Sequence, residues 1–295
     1  MASDKGDPGQ KSQKFWENFM KTLFFISALT SVIAVFLICI FLFAGGIPAM
    51  FKIGLFEFIF GRKWAPNDVP PLFGILPMIM GSIYITGGAI AVGVPTGILT
   101  AAYMARLCPQ NLYRVLKPAV GVLAGIPSIV YGFFGMVVIV PLVSQVFSAN
   151  GNTILSASIL LGIMILPTVI GISETAIRAV PESYYEGSLA LGASNEWSIF
   201  FVILPAAKSG ILAAVILGVG RAIGETMAVI MVAGGQPRLP NSILDGVRTL
   251  TANIVTEMPY AADLHREALI ATGVVLFVFI LIINLLVALL KRGGN

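Results

Sequence analysis

PAVGVLAGIPSIVYGFFGMVVIVPLVSQVFSANGNTILSASILLGIMILPTVIGIS, residues 118–173, contains no Asp, Glu, Lys or Arg. A membrane span takes about 20 mostly apolar residues, so this run is long enough for two. SANGNT, at 148–153, supplies the turn between them. Further uncharged runs extend from Thr22 to Phe51, Val69 to Ala105 and Ala268 to Leu290. With the apolar stretch around Arg221, six spans are predicted, at 23–43, 74–104, 118–147, 154–173, 208–232 and 268–290. The second and third are long and carry Pro and Gly, so tilt, kinks or half-spans are expected there. The fold class is therefore an all-α membrane protein with six transmembrane helices.

Composition agrees. Of 295 residues, 57% are hydrophobic and 11% charged, where a soluble domain would carry roughly 25% charge. Mean hydropathy is +0.94. The polar start, MASDKGDPGQKSQKFWENFMK, is too long for the basic region of a signal peptide, and the run after it is of full spanning length. It is read as a cytoplasmic tail (1–21) before an uncleaved first helix. Placing both termini inside leaves eleven Lys and Arg in cytoplasmic segments against six outside, with Arg221 in the membrane. That is the orientation favoured by the positive-inside rule. The net charge of +4 is spread over loops and needs no nucleic-acid partner. Cys39 in a span and Cys108 on the inner side sit at opposite depths, which excludes a disulfide between them.

Catalytic signatures are missing. His265, the one histidine, is expected in a solvated outer loop beside Arg266 and Glu267; a metal site or a His-based triad needs more partners. No Gly-Lys dipeptide occurs, so there is no Walker A loop. If ATP drives this protein, another chain binds it. Two glycine patterns, Gly93-x-x-x-Gly97 and Gly218-x-Gly220-x-x-x-Gly224, read as close helix packing.

GVGRAIGETMAVIMVAGG (218–235) places Arg221 and Glu225 within an apolar run. Arg221 lies about 20 Å along a helix from Lys208, near mid-membrane, where an arginine costs roughly 2.5–3.5 kcal/mol on insertion scales. At i, i+4 the two share a helix face and can pair. A guanidinium suits an oxyanion, phosphate or carboxylate. A carboxylate beside it repels a fully ionised anion but accepts a hydrogen bond from one that keeps a proton. Phosphate near neutral pH keeps one and sulfate does not. Structural pairing is the alternative. Pro127 is expected to interrupt the third span, freeing backbone groups near Ser128 and Tyr131, which could face a path; a packing kink is the alternative there. KIGLFEFIFGRKWAP (52–66) reads as an interfacial helix with Trp64 at the headgroups.

The segment ETAIRAVPESYYEGSLALGASNEWSIFFVILPAAKSG (174–210) carries Glu174, Glu182, Glu186 and Glu196. One helix is expected at 183–191 and another at 195–203, separated by Gly192, and on pattern alone the segment reads as a solvated cytoplasmic hairpin loop. Within it, EGSLALGASNEWSIFFVILP resembles the EAA loop of ABC-importer permeases. Glu186, Gly192, Leu204 and Pro205 match that pattern, Gly187 and Ser188 replace its two alanines, and Val202 replaces isoleucine. In that family the loop forms a coupling helix that docks on the ATPase subunit, with Pro205 expected to begin the next span. LAGIPSIVYGFFG (123–135), GRAIGETMAV (220–229) and LTANI (250–254) make residues 20–292 similar to the C-type permease subunits of bacterial phosphate importers.

The resemblance implies three regions: the tail (1–21), a first helix with its periplasmic loop (22–71) and an ABC-permease domain (72–292) with a coupling loop at 174–207. It implies a multi-pass chain in the cytoplasmic membrane of a bacterium or archaeon, surrounded by lipid and binding no cofactor itself. Its partners would be an A-type permease subunit, two ATPase subunits that bind ATP, and a periplasmic phosphate-binding protein. Arg221 and Glu225 would act on phosphate. A permease for molybdate, sulfate or phosphonate, and an ATPase-independent anion carrier or channel, stay open as alternatives.

Overall fold

The computed structural model describes residues 8–148 and 150–292. Part of the expected tail at 1–21 thus lies outside the described residues, as does Ala149 of the expected 148–153 turn. Helix α1 (Pro8–Ile53) takes up the rest of the tail. At 1.5 Å per residue it is about 69 Å long, roughly twice a hydrocarbon core. From Trp16 to Phe41 its large apolar side chains are exposed all round, as a helix in lipid requires. It docks at its far end on α14 (Asp263–Arg292). Gly46 permits that contact, since a Cβ there would lie 2.6 Å from Val274 Cγ2 and 3.0 Å from Ala271 Cα.

After α1 come a short helix α2 (Leu55–Phe60) and a two-stranded antiparallel ribbon, β1 (Trp64–Ala65) with β2 (Leu72–Phe73). The centre of the molecule is the pair α3 (Leu76–Ala102) and α7 (Ile154–Arg178). Small residues bring the two together. A Cβ on Gly93 would come within 2.6 Å of the Gly162 carbonyl, and one on Gly97 within 2.7 Å of Val169 Cγ1. The packing expected of this glycine pair is therefore present. Despite Pro95, α3 is unbroken and ends in a π turn, Tyr103–Leu107.

The predicted third span does break. It is split into α4 (Gln110–Gly125), α5 (Ser128–Phe134), a π turn and α6 (Val140–Phe147). Ile126 and Pro127 adopt extended angles because the proline has no N–H to continue the ladder. The next segment holds α8 (Glu182–Ala190), α9 (Asn195–Ser198), a π turn and α10 (Leu204–Ala206). Both helices expected around Gly192 are thus present. A 73° bend at Ala207 precedes α11 (Lys208–Gly224). Pro205 lies before this bend, not at the start of the next span.

The fifth predicted span breaks as well, which was not expected: α11 stops at Gly224 and α12 (Met227–Val232) resumes beyond Glu225 and Thr226. Helix α13 (Leu250–Glu257) follows a loop and precedes α14. Among the described residues α1, α3, α7 and α14 are long and apolar enough to span, as is the continuous run of α5, π turn and α6 (Ser128–Phe147), and a sixth span is counted if the bent pair around Ala207 forms one.

Candidate functional site

The two chain breaks lie side by side. Helices α5 and α12 pack together, and Gly132 makes the approach possible: a Cβ there would lie 3.0 Å from Ala228 Cα and 2.7 Å from Met231 Sδ. The Ile126–Pro127 break and the Glu225–Thr226 break are thereby joined at one place. This brings together residues nearly a hundred positions apart in the chain.

The breaks alter the expected Arg221–Glu225 pairing. Because α11 ends at Gly224, Glu225 is extended (φ −69°, ψ 129°) and no longer shares a helix face with Arg221. Its Oε1 accepts the Ala228 N–H at 3.1 Å. A carboxylate at the start of α12 thus satisfies one of the N–H groups that a helix start leaves unpaired. The Glu225 carbonyl accepts the Thr251 hydroxyl of α13 at 3.1 Å. Arg221 is half-buried and makes no hydrogen bond or ion pair among the described residues.

Tyr131 is buried, and its hydroxyl donates to the Leu123 carbonyl at 2.8 Å. It bridges the Pro127 break by bonding a carbonyl whose backbone partner is the long Ile126 N–H contact at 3.4 Å, Pro127 having no N–H to offer. Ser128, the first residue of α5, is half-buried. Of the predicted pathway residues, Arg221, Glu225 and Tyr131 are thus assembled at the paired breaks, and Ser128 stands at the edge of one of them.

The glycine pattern in α11 divides. Gly218 meets Val169 of α7, with a Cβ position 3.1 Å from Cγ2, but around Gly220 and Gly224 there is open space. Packing accounts for the first only. The other two bare an open face of α11 next to Arg221, and Gly121 and Gly125 do the same on α4.

The residues matching the EAA pattern lie far along the chain from the breaks. Gly192 has φ +88°, a left-handed conformation that glycine adopts without strain, and open space around its Cα. Backbone shape, not crowding, demands glycine there. Ser194 then starts α9 by accepting the Trp197 N–H at 3.2 Å. Glu186 and Pro205 are exposed, and Leu204 is half-buried. Between α8 and α9 lies an open groove of about 740 Å³, lined by Tyr184, Leu191, Ala193 and Trp197 among others. Leu191 is 91% exposed, an unusual position for leucine unless another surface covers it.

Two clusters escaped the sequence reading. Glu174, counted there as a loop acid, lies within α7 and is 1% exposed. It accepts from the Tyr113 hydroxyl and Lys117 Nζ, each at 2.7 Å, and from Arg178 Nε at 2.9 Å. At the opposite end of the molecule, Glu257 of α13 pairs with Arg248 and accepts Trp64 Nε1–H at 2.7 Å; His265 lies 2.9 Å from its Oε2. His265 is therefore held in a polar cluster and is not a solvated loop residue. Trp64 is 6% exposed and packs edge-on against Phe73, so its ring faces protein. An acid in a charged-looking loop and a distant tryptophan give no local signal of such meetings.

Residues 93–293 match the family described as binding-protein-dependent transport system inner membrane component. The chain belongs to this family. It is 39% identical, over 88% of its length and 87% of the relative's, to the probable ABC transporter permease protein YqgH of Bacillus subtilis. It is 34% identical, over 83% of its length and 81% of the relative's, to the phosphate transport system permease protein PstC of Mesorhizobium japonicum. A solved bacterial ABC transporter involved in the import of the acidic polysaccharide alginate shares the fold, with a TM-score of 0.60 over 95% of this chain and 98% of that one, at 15% identity. The permease is thus a multi-pass membrane protein, and a system of this kind works with an ATPase and a substrate-binding protein.

Proposed function

We propose that this chain is the phosphate-translocating permease subunit of an ATP-driven importer. The observation that carries the reading is Arg221: a half-buried guanidinium, without a partner among the described residues, where two interrupted helices meet. An arginine near mid-membrane is costly unless a ligand or water meets it. The relatives named PstC are phosphate transport system permeases, and the chemistry of the site favours the same anion. Arg221 holds the oxyanion. Glu225, with Oε1 engaged by α12, offers Oε2 to the proton that phosphate retains.

The open faces at Gly121, Gly125, Gly220 and Gly224 suit a pathway completed by a second chain, which we assign to an A-type permease subunit. Two ATPase subunits bind ATP and dock on the loop containing Glu186, Gly192, Leu204 and Pro205. A periplasmic phosphate-binding protein delivers substrate at the other end. Both termini are cytoplasmic, the chain binds no cofactor, and it performs no catalysis.

The test is uptake into vesicles holding this chain, its A-type partner and the ATPase, with binding protein outside and ATP inside. ATP-dependent phosphate uptake should fall at least about tenfold in Arg221→Gln, as expected when a charge-assisted contact is lost. Uptake without ATP, or unchanged uptake in the variant, would refute the reading.

A further inference from the structure

Helix α4 leads directly into the Pro127 break, yet no residue of α4 is buried. Tyr113, Leu116 and Val120 are only partly covered by the apolar core beneath them. A helix with so little buried area owes its position to its polar contacts. Those contacts converge on one carboxylate. Glu174 of α7 takes hydrogen bonds from both Tyr113 and Lys117 of α4, each at 2.7 Å.

The same end of α7 is tied to the segment that follows it. Arg178, which also bonds Glu174, donates to the Met104 carbonyl at the end of α3 at 2.8 Å. Arg106, two residues on, donates to the Val180 carbonyl at 3.2 Å and pairs with Glu182, the first residue of α8. One polar cluster thus joins α8 to α3, α7 and α4. At the other end of α4, the Leu123 carbonyl accepts the Tyr131 hydroxyl across the Pro127 break.

We infer that Glu174 is a positioning residue for transport: it makes α4 follow the loop that begins with α8, so that movement imposed there reaches the Pro127 break. This rests on the permease reading above. The charge is what matters, because a neutral amide keeps the shape but surrenders the ionic bond to Lys117. Lys117 and Arg178 are 46% and 45% exposed at the side chain, so water can satisfy them once Glu174 is neutral. The fold then survives while α4 loosens.

The experiment measures phosphate imported per ATP hydrolysed by the complete complex in vesicles, for wild type, Glu174→Gln, Lys117→Gln and the double variant. Glu174→Gln should assemble and hydrolyse ATP within about twofold of wild type, while phosphate per ATP falls roughly tenfold, the scale of a lost bond to a charged group. Lys117→Gln should fall in the same direction, and the double variant should be no worse than Glu174→Gln, since both act on one link. A wild-type ratio in Glu174→Gln, or losses that multiply in the double variant, would overturn the inference. Should Glu174→Gln fail to assemble, Lys117→Gln and Tyr113→Phe decide, and wild-type ratios in both would overturn it. If the wild-type complex carries sulfate or molybdate in place of phosphate, the substrate assignment fails, while the same ratio read with that anion still judges Glu174. A wild-type complex that carries none of the three would overturn both.

Discussion

For single residues, the site depends on where a charge is left when its helix stops. Glu225 lies in an extended stretch, so its carboxylate is aimed by the start of α12 and by the Thr251 hydroxyl on its own carbonyl. Arg221 stays on α11, one break away. This separation leaves the two charges without an ion pair to each other among the described residues, which the proposed phosphate contact requires. Glu225→Gln replaces an obligate acceptor by a group that can also donate. Sulfate should then compete with phosphate uptake about tenfold better, a gain of one charge-assisted bond; competition of labelled phosphate uptake by sulfate is the measurement, and unchanged selectivity would remove Glu225 from that role. Gly192 poses a separate problem of backbone shape. With φ at +88°, Gly192→Val costs roughly 1–2 kcal/mol of local strain although the side chain has room. ATP hydrolysis should proceed with little import, or the ATPase should fail to co-purify. Normal uptake would show that the loop tolerates another shape.

At the scale of elements, the site is made by helices that are interrupted, held by helices that are not. The uninterrupted pair α3 and α7 is the frame. Its glycines set the spacing so closely that Gly93→Leu would drive a side chain into the Gly162 carbonyl and Ile165. Overpacking of this kind costs about 1–3 kcal/mol, which a lowered unfolding temperature in detergent would reveal. The interrupted helices are fastened by single bonds: Tyr131 to Leu123 across one break, and Thr251 to Glu225 beside the other. Thr251→Val keeps the volume but removes the second fastening, worth roughly 0.5–1.5 kcal/mol, together with a contact to the Thr249 hydroxyl, which keeps the Ala252 N–H. Uptake should fall several-fold while unfolding temperature shifts little, a split that separates positioning of Glu225 from stability.

At the scale of the whole molecule, polar clusters bracket the paired breaks. One gathers α4, α7 and α8 around Glu174; the other gathers β1, α13 and α14 around Glu257. Glu257→Ala would leave Arg248, Trp64 Nε1–H and His265 short of an acceptor. Stranded polar groups cost about 1–3 kcal/mol each when buried, so this variant should unfold at a clearly lower temperature, and undiminished stability would show that water replaces the carboxylate. Several membrane crossings were legible from the residues alone, because uncharged runs of spanning length have few other destinations. The sequence also marked Arg221 and Glu225 as costly charges in an apolar run, Pro127 as a break, and Gly192 as a turn between helices, since each signal is local. That α11 stops at Gly224 follows from packing alone, since nine apolar or small residues follow Thr226 without a proline. Likewise only the tertiary structure brought the two breaks together, buried Glu174, and drew Trp64 to Glu257. The physical reason is that hydrophobic periodicity reports which residues leave water, whereas the partner of a buried polar group is chosen by whichever distant segment packs against it.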